Sequence, residues 1–137
     1  MYFYSNNEKY IGSIKNGERH GFGEYFYARS QRYFGEWKRN KRHGTGKLVL
    51  SGKSYYEGEW REGKRFGFGI MYYDNGDIYE GHWNDNKKEG LGIYKWSNGC
   101  FYKGEWKNDK MDGKGRMTGE DGKERMGIWE ENKIEFK

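Results

Sequence analysis

The sequence has no proline, one alanine and one cysteine among 137 residues, and only nineteen Leu, Ile, Val and Phe together. The lone Cys100 excludes an internal disulfide. No apolar run approaches the roughly 20 residues of a membrane-spanning helix, and the start, MYFYSNNEKY, lacks the basic then apolar pattern of a secretory signal. So few aliphatic residues beside 34% charged ones would ordinarily point to disorder. The aromatics oppose that reading. Thirteen Tyr, eight Phe and six Trp make up 20% of the chain, and each buried aromatic removes roughly 150 to 250 Å² from water.

The aromatics and the 23 glycines are placed periodically. Aligned on Tyr, the chain reads YIGSIKNGERHGFG from Tyr10, YFGEWKRNKRHGTG from Tyr33, YEGEWREGKRFGFG from Tyr56, YEGHWNDNKKEGLG from Tyr79 and YKGEWKNDKMDGKG from Tyr102. A partial copy, RMGIWEENKIEFK, follows from Arg125. Each step is 23 residues, with no insertion. A motif that returns at a fixed interval is architecture before it is a site.

Within a copy, Tyr33, Gly35 and Trp37 alternate with Phe34, Glu36 and Lys38, the period of a strand and not of a helix. Three residues after the Trp position stand Gly17, Asn40, Gly63, Asn86, Asp109 and Asn132, residues that tolerate positive φ, so the chain is expected to turn there. A second strand follows each Gly-x-Gly and carries Tyr25, Leu48, Met71, Tyr94 and Met117 in one phase. Turn residues at 5–7, 74–76, 97–99 and 120–122 close the copies. The expected fold is all-β: a single-layer antiparallel meander of repeated hairpins, about twelve short strands in an elongated twisted ribbon. The Tyr and Trp columns are expected to fill the room left by the glycines. Residues 1–9 read as the end of a preceding hairpin or a cap, 10–124 as five repeats, and 125–137 as a partial sixth repeat and C-terminal cap.

These residues resemble the MORN (membrane occupation and recognition nexus) repeat, whose pattern of Tyr-x-Gly-x-Trp followed by His-Gly-x-Gly is seen in YFGEWKRNKRHGTG. The departures are Ile14 for the first Trp, Phe66, Glu89 and Asp112 for the His, and Arg125 for the sixth Tyr. The resemblance implies a non-catalytic scaffold or adaptor, of the kind found in cytoskeletal and ciliary (axonemal) assemblies. It implies a cytoplasmic, cytoskeleton-associated setting, including cilium or flagellum.

Catalytic and cofactor chemistry find no foothold in the residues. GKS at 52–54 lacks the glycine five positions earlier that a phosphate loop needs, that place being Lys47. His20 and His43 share one repeat phase, so packing or turn hydrogen bonds explain them better than metal ligation. Cys100 has no Cys-x-x-Cys context and is read as a strand residue. DNGD at 74–77 lacks the ligand alternation of a calcium loop. Neither an enzyme, a cofactor nor a metal site is expected.

The expected partner is a protein segment, extended or helical, or a larger cytoskeletal assembly. Its expected groove is built from Tyr33, Trp37, Tyr56, Trp60, Tyr79, Trp83, Tyr102 and Trp106, an apolar strip with no second layer to cover it. The formal charge is +5, and the basic surplus gathers at the turns as Lys38, Arg39, Lys41, Arg42, Arg61, Lys64 and Arg65. That edge either discourages strand aggregation or attracts an anionic phospholipid surface or acidic protein. Nucleic acid is not an expected partner, because the repeat already accounts for the aromatics and the basic residues lie at turns. The incomplete terminal repeats offer a route to a homodimer.

Overall fold

The computed structural model describes residues 1–4 and 6–136, the side chains of 135 and 136 excepted; of the expected turn at 5–7, Ser5 lies outside them. The described chain forms one antiparallel sheet whose strands follow one another in sequence order. They are β1 (Tyr2–Phe3), β2 (Lys9–Lys15), β3 (Glu18–Phe26), β4 (Arg32–Lys38), β5 (Lys41–Ser51), β6 (Ser54–Arg61) and β7 (Lys64–Tyr72). The sheet continues with β8 (Ile78–Asn84), β9 (Lys87–Lys95), β10 (Phe101–Lys107), β11 (Lys110–Thr118), β12 (Glu124–Glu130) and β13 (Lys133–Phe136). A single 3-10 turn, Ala28–Ser30, interrupts the β3 to β4 connection. The single-layer meander is the one expected, with thirteen strands where about twelve were anticipated.

Seven hairpins turn on two residues, six of them at the recurring turn position and one at Gly52 and Lys53. Gly17, Asn40, Gly63, Asn86, Asp109 and Asn132 all have φ between 66° and 79°, and the residue before each is also positive. Two successive positive φ values match the right-handed twist of the flanking strands, which is why Asn, Asp and Gly stand there. Each of these six turns after the first is also tied to the copy before it. Asn40 donates its N–H to the Arg19 carbonyl and accepts the Arg19 N–H on its side-chain oxygen, at 3.1 and 2.9 Å. Asn86 repeats this with Arg65, Asp109 with Lys88, and Asn132 with Met111.

The first glycine of each Gly-x-Gly marks a bulge. Gly35 faces Gly46 and Trp37 faces Arg42, so Glu36 alone opposes His43, Gly44 and Thr45. Gly44 takes a φ of 61°, and the Glu36 carboxylate accepts the freed Thr45 N–H at 2.6 Å. Glu105 serves the Lys114 N–H in the same way.

The sheet has two unlike faces. On one, here the ring face, each Tyr lies flat across a facing glycine pair. A Cβ on Gly46 would run into the Tyr33 ring, and one on Gly35 into the Gly46 backbone. Only glycine leaves the ring that room. Tyr10, Tyr33, Tyr56, Tyr79 and Tyr102 are fully buried, and each hydroxyl donates to the carbonyl three residues on, at 2.8 to 2.9 Å. Trp37, Trp60, Trp83 and Trp106 each stand edge-on between two of these rings. Trp60, for example, lies 5.5 Å from Tyr33 and 5.1 Å from Tyr56, at 88° and 83°. The alternation runs unbroken from Tyr10 through Trp37, Tyr33, Trp60, Tyr56, Trp83, Tyr79, Trp106 and Tyr102 to Trp129. Edge-to-face pairs of this kind contribute about 0.5 to 1.5 kcal/mol beyond area burial. The Trp indole N–H groups donate to glycine carbonyls of the preceding repeat, Trp60 to Gly46 at 3.0 Å and Trp83 to Gly69 at 3.2 Å.

Connections on the far edge are latched by carboxylates. Asp77, buried, accepts the Tyr94 hydroxyl at 2.7 Å and the Ser97 N–H at 2.9 Å. Glu8 does the same for Tyr25 and the Ala28 N–H.

Two predictions follow from the ring packing. Gly69→Ala, whose new methyl would meet the Tyr56 ring, is expected to destabilise by about 3 kcal/mol. Gly122→Ala, at a positive φ with open space around it, is expected to lose only about 1 kcal/mol; urea unfolding of both separates ring displacement from backbone strain. The second concerns alkali. Burial pushes Tyr102 up to about 12 from an ordinary 10.0, and Tyr33, Tyr56 and Tyr79 further. Between pH 10 and 12 the unfolded chain therefore loses protons that the folded chain keeps, so the contribution of these rings to stability is fully present below pH 10 and falls as pH rises through 12. The buried rings' share of the tyrosinate absorbance should grow in step with loss of the near-UV circular dichroism; the full absorbance change of all thirteen Tyr near pH 10 with that signal intact would contradict it.

Candidate partner-binding face

The eight rings expected to line a groove do not offer one. Tyr33, Trp37, Tyr56, Trp60, Tyr79, Trp83, Tyr102 and Trp106 are 0 to 6% exposed. The reason is that each repeat builds its own cover. Tyr lies on glycine, Trp closes over Tyr, and a cation lies over Trp. The guanidinium carbons of Arg19, Arg42 and Arg65 sit 4.8, 4.6 and 4.8 Å from the Trp37, Trp60 and Trp83 rings, and the Lys88 ammonium 5.5 Å from Trp106. These are cation–π distances. The fifth place in this column is Met111. Arg19, Arg42 and Arg65 also donate to the Asn40, Gly63 and Asn86 carbonyls at 3.0 Å, so each ties its own copy to the next turn.

This ladder corrects the basic edge. Arg42 and Arg65 lie over the rings, not along the turns, because both alternate with the glycines of their strands and so share the ring face. Burial lowers the Arg65 pKa, and it lowers that of Lys88 against the pull of Asp109, 3.8 Å away. Arg19 and Lys88 were missed from the sequence although they hold the same 23-residue phase. Lys38, Arg39, Lys41, Arg61 and Lys64 do stand exposed at the hairpin turns. Of these, Lys41 is 3.4 Å from Glu62.

The other face is open. It carries the residue between the two glycines of each copy, Phe22, Thr45, Phe68, Leu91 and Lys114, together with the residue after each Tyr, such as Ile11, Phe34 and Lys103. Phe22, Phe34, Phe68, Leu91 and Met126 are 62, 58, 45, 63 and 61% exposed. From β7 to β12 this face is hollowed by a cavity of about 820 Å³, floored by the glycine columns and walled by Phe68, Leu91, Ile93, Met126 and Ile128. Lys103, Lys114 and Arg116 stand among those apolar walls. The signal for this surface was present in the sequence: the alternation that sends Tyr and Trp to one face sends Phe22, Phe68 and Leu91 to the other.

The remaining candidates stay peripheral. His82 lies on the open face with its ring edge-on to Phe68 at 6.1 Å. Cys100 lies just ahead of β10, in the connection that follows the turn rather than in the strand, its N–H bonded to the Asn98 side chain at 3.0 Å. Among the described residues no group of three or more His, Cys, Asp or Glu could hold a metal ion, and no helix is long and apolar enough to cross a membrane.

Comparison with known proteins agrees with this geometry. A family model described as MORN repeat matches residues 10–32, 33–54, 56–78, 79–101 and 102–124. No curated protein matches the chain. Among solved structures, the TCP domain of Drosophila melanogaster SAS-4 (dCPAP), in complex with a proline-rich motif of Ana2 (dSTIL), superposes with a TM-score of 0.57. It covers 93% of this chain and 69% of that one at 13% identity, a likeness of fold alone. With five consecutive copies matched and the glycine, Tyr and Trp columns packed as one ladder, the chain belongs to the MORN repeat family.

Proposed function

We propose that the protein is a non-enzymatic scaffold or adaptor that docks a protein segment on its open face, within a cytoskeletal or ciliary (axonemal) assembly of the cytoplasm. The observation that carries this reading is the row of large apolar side chains left exposed on a sheet whose other face is sealed by its own rings. Exposed apolar surface of that regularity marks interaction sites. Two findings support it. The MORN family consists of repeat modules without catalytic chemistry of their own, and a sheet of similar fold, the TCP domain, is seen with a peptide bound. The cytoskeletal setting rests on the family resemblance.

The test is capture from the native cell by the tagged protein beside a Phe68→Asp, Leu91→Asp variant. Both residues are exposed, so the thermal midpoint should move little, while a specific set of co-purified cytoskeletal proteins should disappear. Retention of the whole set by the variant would place the docking surface elsewhere.

A second reading draws on the exposed turn residues Lys38, Arg39, Lys41, Arg61 and Lys64. An anionic membrane attracts such residues by about 1 kcal/mol each, and the attraction should fade with salt. Vesicles containing phosphatidylserine should therefore sediment the protein at low salt, and a Lys38→Glu, Arg39→Glu, Lys64→Glu variant should remain in solution. Equal sedimentation of both proteins would reject the lipid reading.

A further inference from the structure

One row of open-face side chains crosses the strands from Ile11 on β2 to Met126 on β12. Along it Glu24, Lys47, Glu57 and Glu80 each face an apolar side chain or one of opposite sign. Lys103 on β10 and Arg116 on β11 are the exception, because they face each other directly. Opposed side chains on a sheet have Cβ atoms about 4.5 to 5.5 Å apart, and like charges there are destabilising. The ring ladder does not call for the pair, since Tyr102 and Trp106 make its contacts on the other side of the backbone. Nor do nearby carboxylates relieve it. Glu80 is held by Lys95 at 3.6 Å, Glu105 is engaged by the Lys114 N–H at 2.6 Å, and Glu124 reaches Arg116 at 3.8 Å with both groups about half exposed. Lys103 and Lys114 make no ion pair among the described residues.

The pair stands in the hollow of about 820 Å³, where Lys103, Lys114 and Arg116 are all exposed and Glu80 is the one carboxylate among the lining residues. Apolar walls flank it on both sides. Leu91 and Ile93 on β9 lie to one side, Met126 and Ile128 on β12 to the other. Each wall is about one and a half strand spacings, roughly 7 Å, from the midline of β10 and β11.

We infer that the hollow takes a protein segment in which one Asp or Glu stands midway between two apolar side chains. The carboxylate bridges Lys103 and Arg116, and the apolar residues seat against the walls on β9 and β12. A carboxylate has two oxygens to share between the cations, and a guanidinium binds it through two parallel hydrogen bonds. Lys114, one row over, adds to the same positive field. An extended chain sets side chains of one side about 6.8 Å apart, two residues on, and a helix sets those of one face about 6 Å apart, four residues on, so either conformation meets the spacing. A fatty acid or phospholipid does not meet it. Such a molecule carries its charge at one end, whereas here apolar walls lie on both sides of the cations. The inference rests on the open face being the docking surface, and it adds the chemistry of what docks there.

Selection from a random peptide library displayed on phage, with the full chain as bait, tests it. The enriched peptides are expected to share one acidic residue with an apolar residue two positions away on each side, or four positions away on each side. Replacing that acid by its amide in a synthetic copy should weaken binding at least roughly tenfold. A Lys103→Glu, Arg116→Glu bait should select Lys or Arg at the same place, an exchange that misfolding cannot produce. The single variant Lys103→Glu sets opposite charges face to face, so its thermal midpoint should rise by about 2 to 4 °C while binding is lost. Enrichment of no sequence, of sequences without an acid, or of the same sequences by both baits overturns the inference, and so does a Lys103→Glu chain that melts below the parent. The proposed function fails separately: selected peptides that carry no acid but still need Phe68 and Leu91 keep the open face as the docking surface and remove only the carboxylate anchor.

Discussion

A tyrosine ring lying across two facing glycines is the contact on which this protein depends. A sheet ordinarily hides its apolar face against another sheet or against helices, and this chain supplies neither. It makes its second layer from its own side chains. With no Cβ on Gly46 or Gly35, the Tyr33 ring settles onto bare backbone and reaches zero exposure in a structure one sheet thick. Trp closes over Tyr, and a cation covers Trp. Nineteen aliphatic and phenylalanine residues can suffice for 137 because Tyr and Trp do the packing.

The same rings settle their polar atoms, and in doing so fix the interval. A buried hydroxyl or indole N–H without a partner would cost on the order of 1 to 3 kcal/mol. The Tyr hydroxyl finds a carbonyl three residues ahead, in its own copy; the Trp N–H finds one 14 residues back, in the previous copy. The turn residue reaches 21 residues back to the cation column. An insertion within a copy would put these partners out of reach, which gives a physical reason for a 23-residue step without exception. Cohesion is accordingly between nearest neighbours, as in other one-dimensional arrays.

Much of this was legible before any coordinates. The Tyr, Gly and Trp alternation, the six turn positions and the use of glycine as room for a ring all stand in the structure as the sequence reading had them. What alternation cannot report is whether a face is covered. It places Tyr33 and Trp37 together, but their burial depends on how closely ring, backbone and cation stack, and so alternation alone does not distinguish sealed rings from a groove. The misplacement of Arg42 and Arg65 has a different origin. They were grouped with Lys41 and Lys64 by nearness to the turn, whereas counting back in twos from Gly46 or Gly69 puts them on the ring face. The bulge leaves that count intact, because it adds two residues and not one.

The division between the faces also bears on where function can be written. The ring face's frame of Gly, Tyr and Trp columns is nearly the same in every copy, since a change there would break a ring contact or leave a donor unpaired. It has little freedom left to distinguish one partner from another. The open face is not so constrained: at one position the successive copies carry Phe22, Thr45, Phe68, Leu91 and Lys114, aromatic, polar, aliphatic and cationic in turn. None of these is required by the stacking beneath, whose contacts all lie on the far side of the backbone. The repeat therefore supplies a rigid plank, and the side chains it leaves unspecified are the ones able to give that plank a particular binding preference.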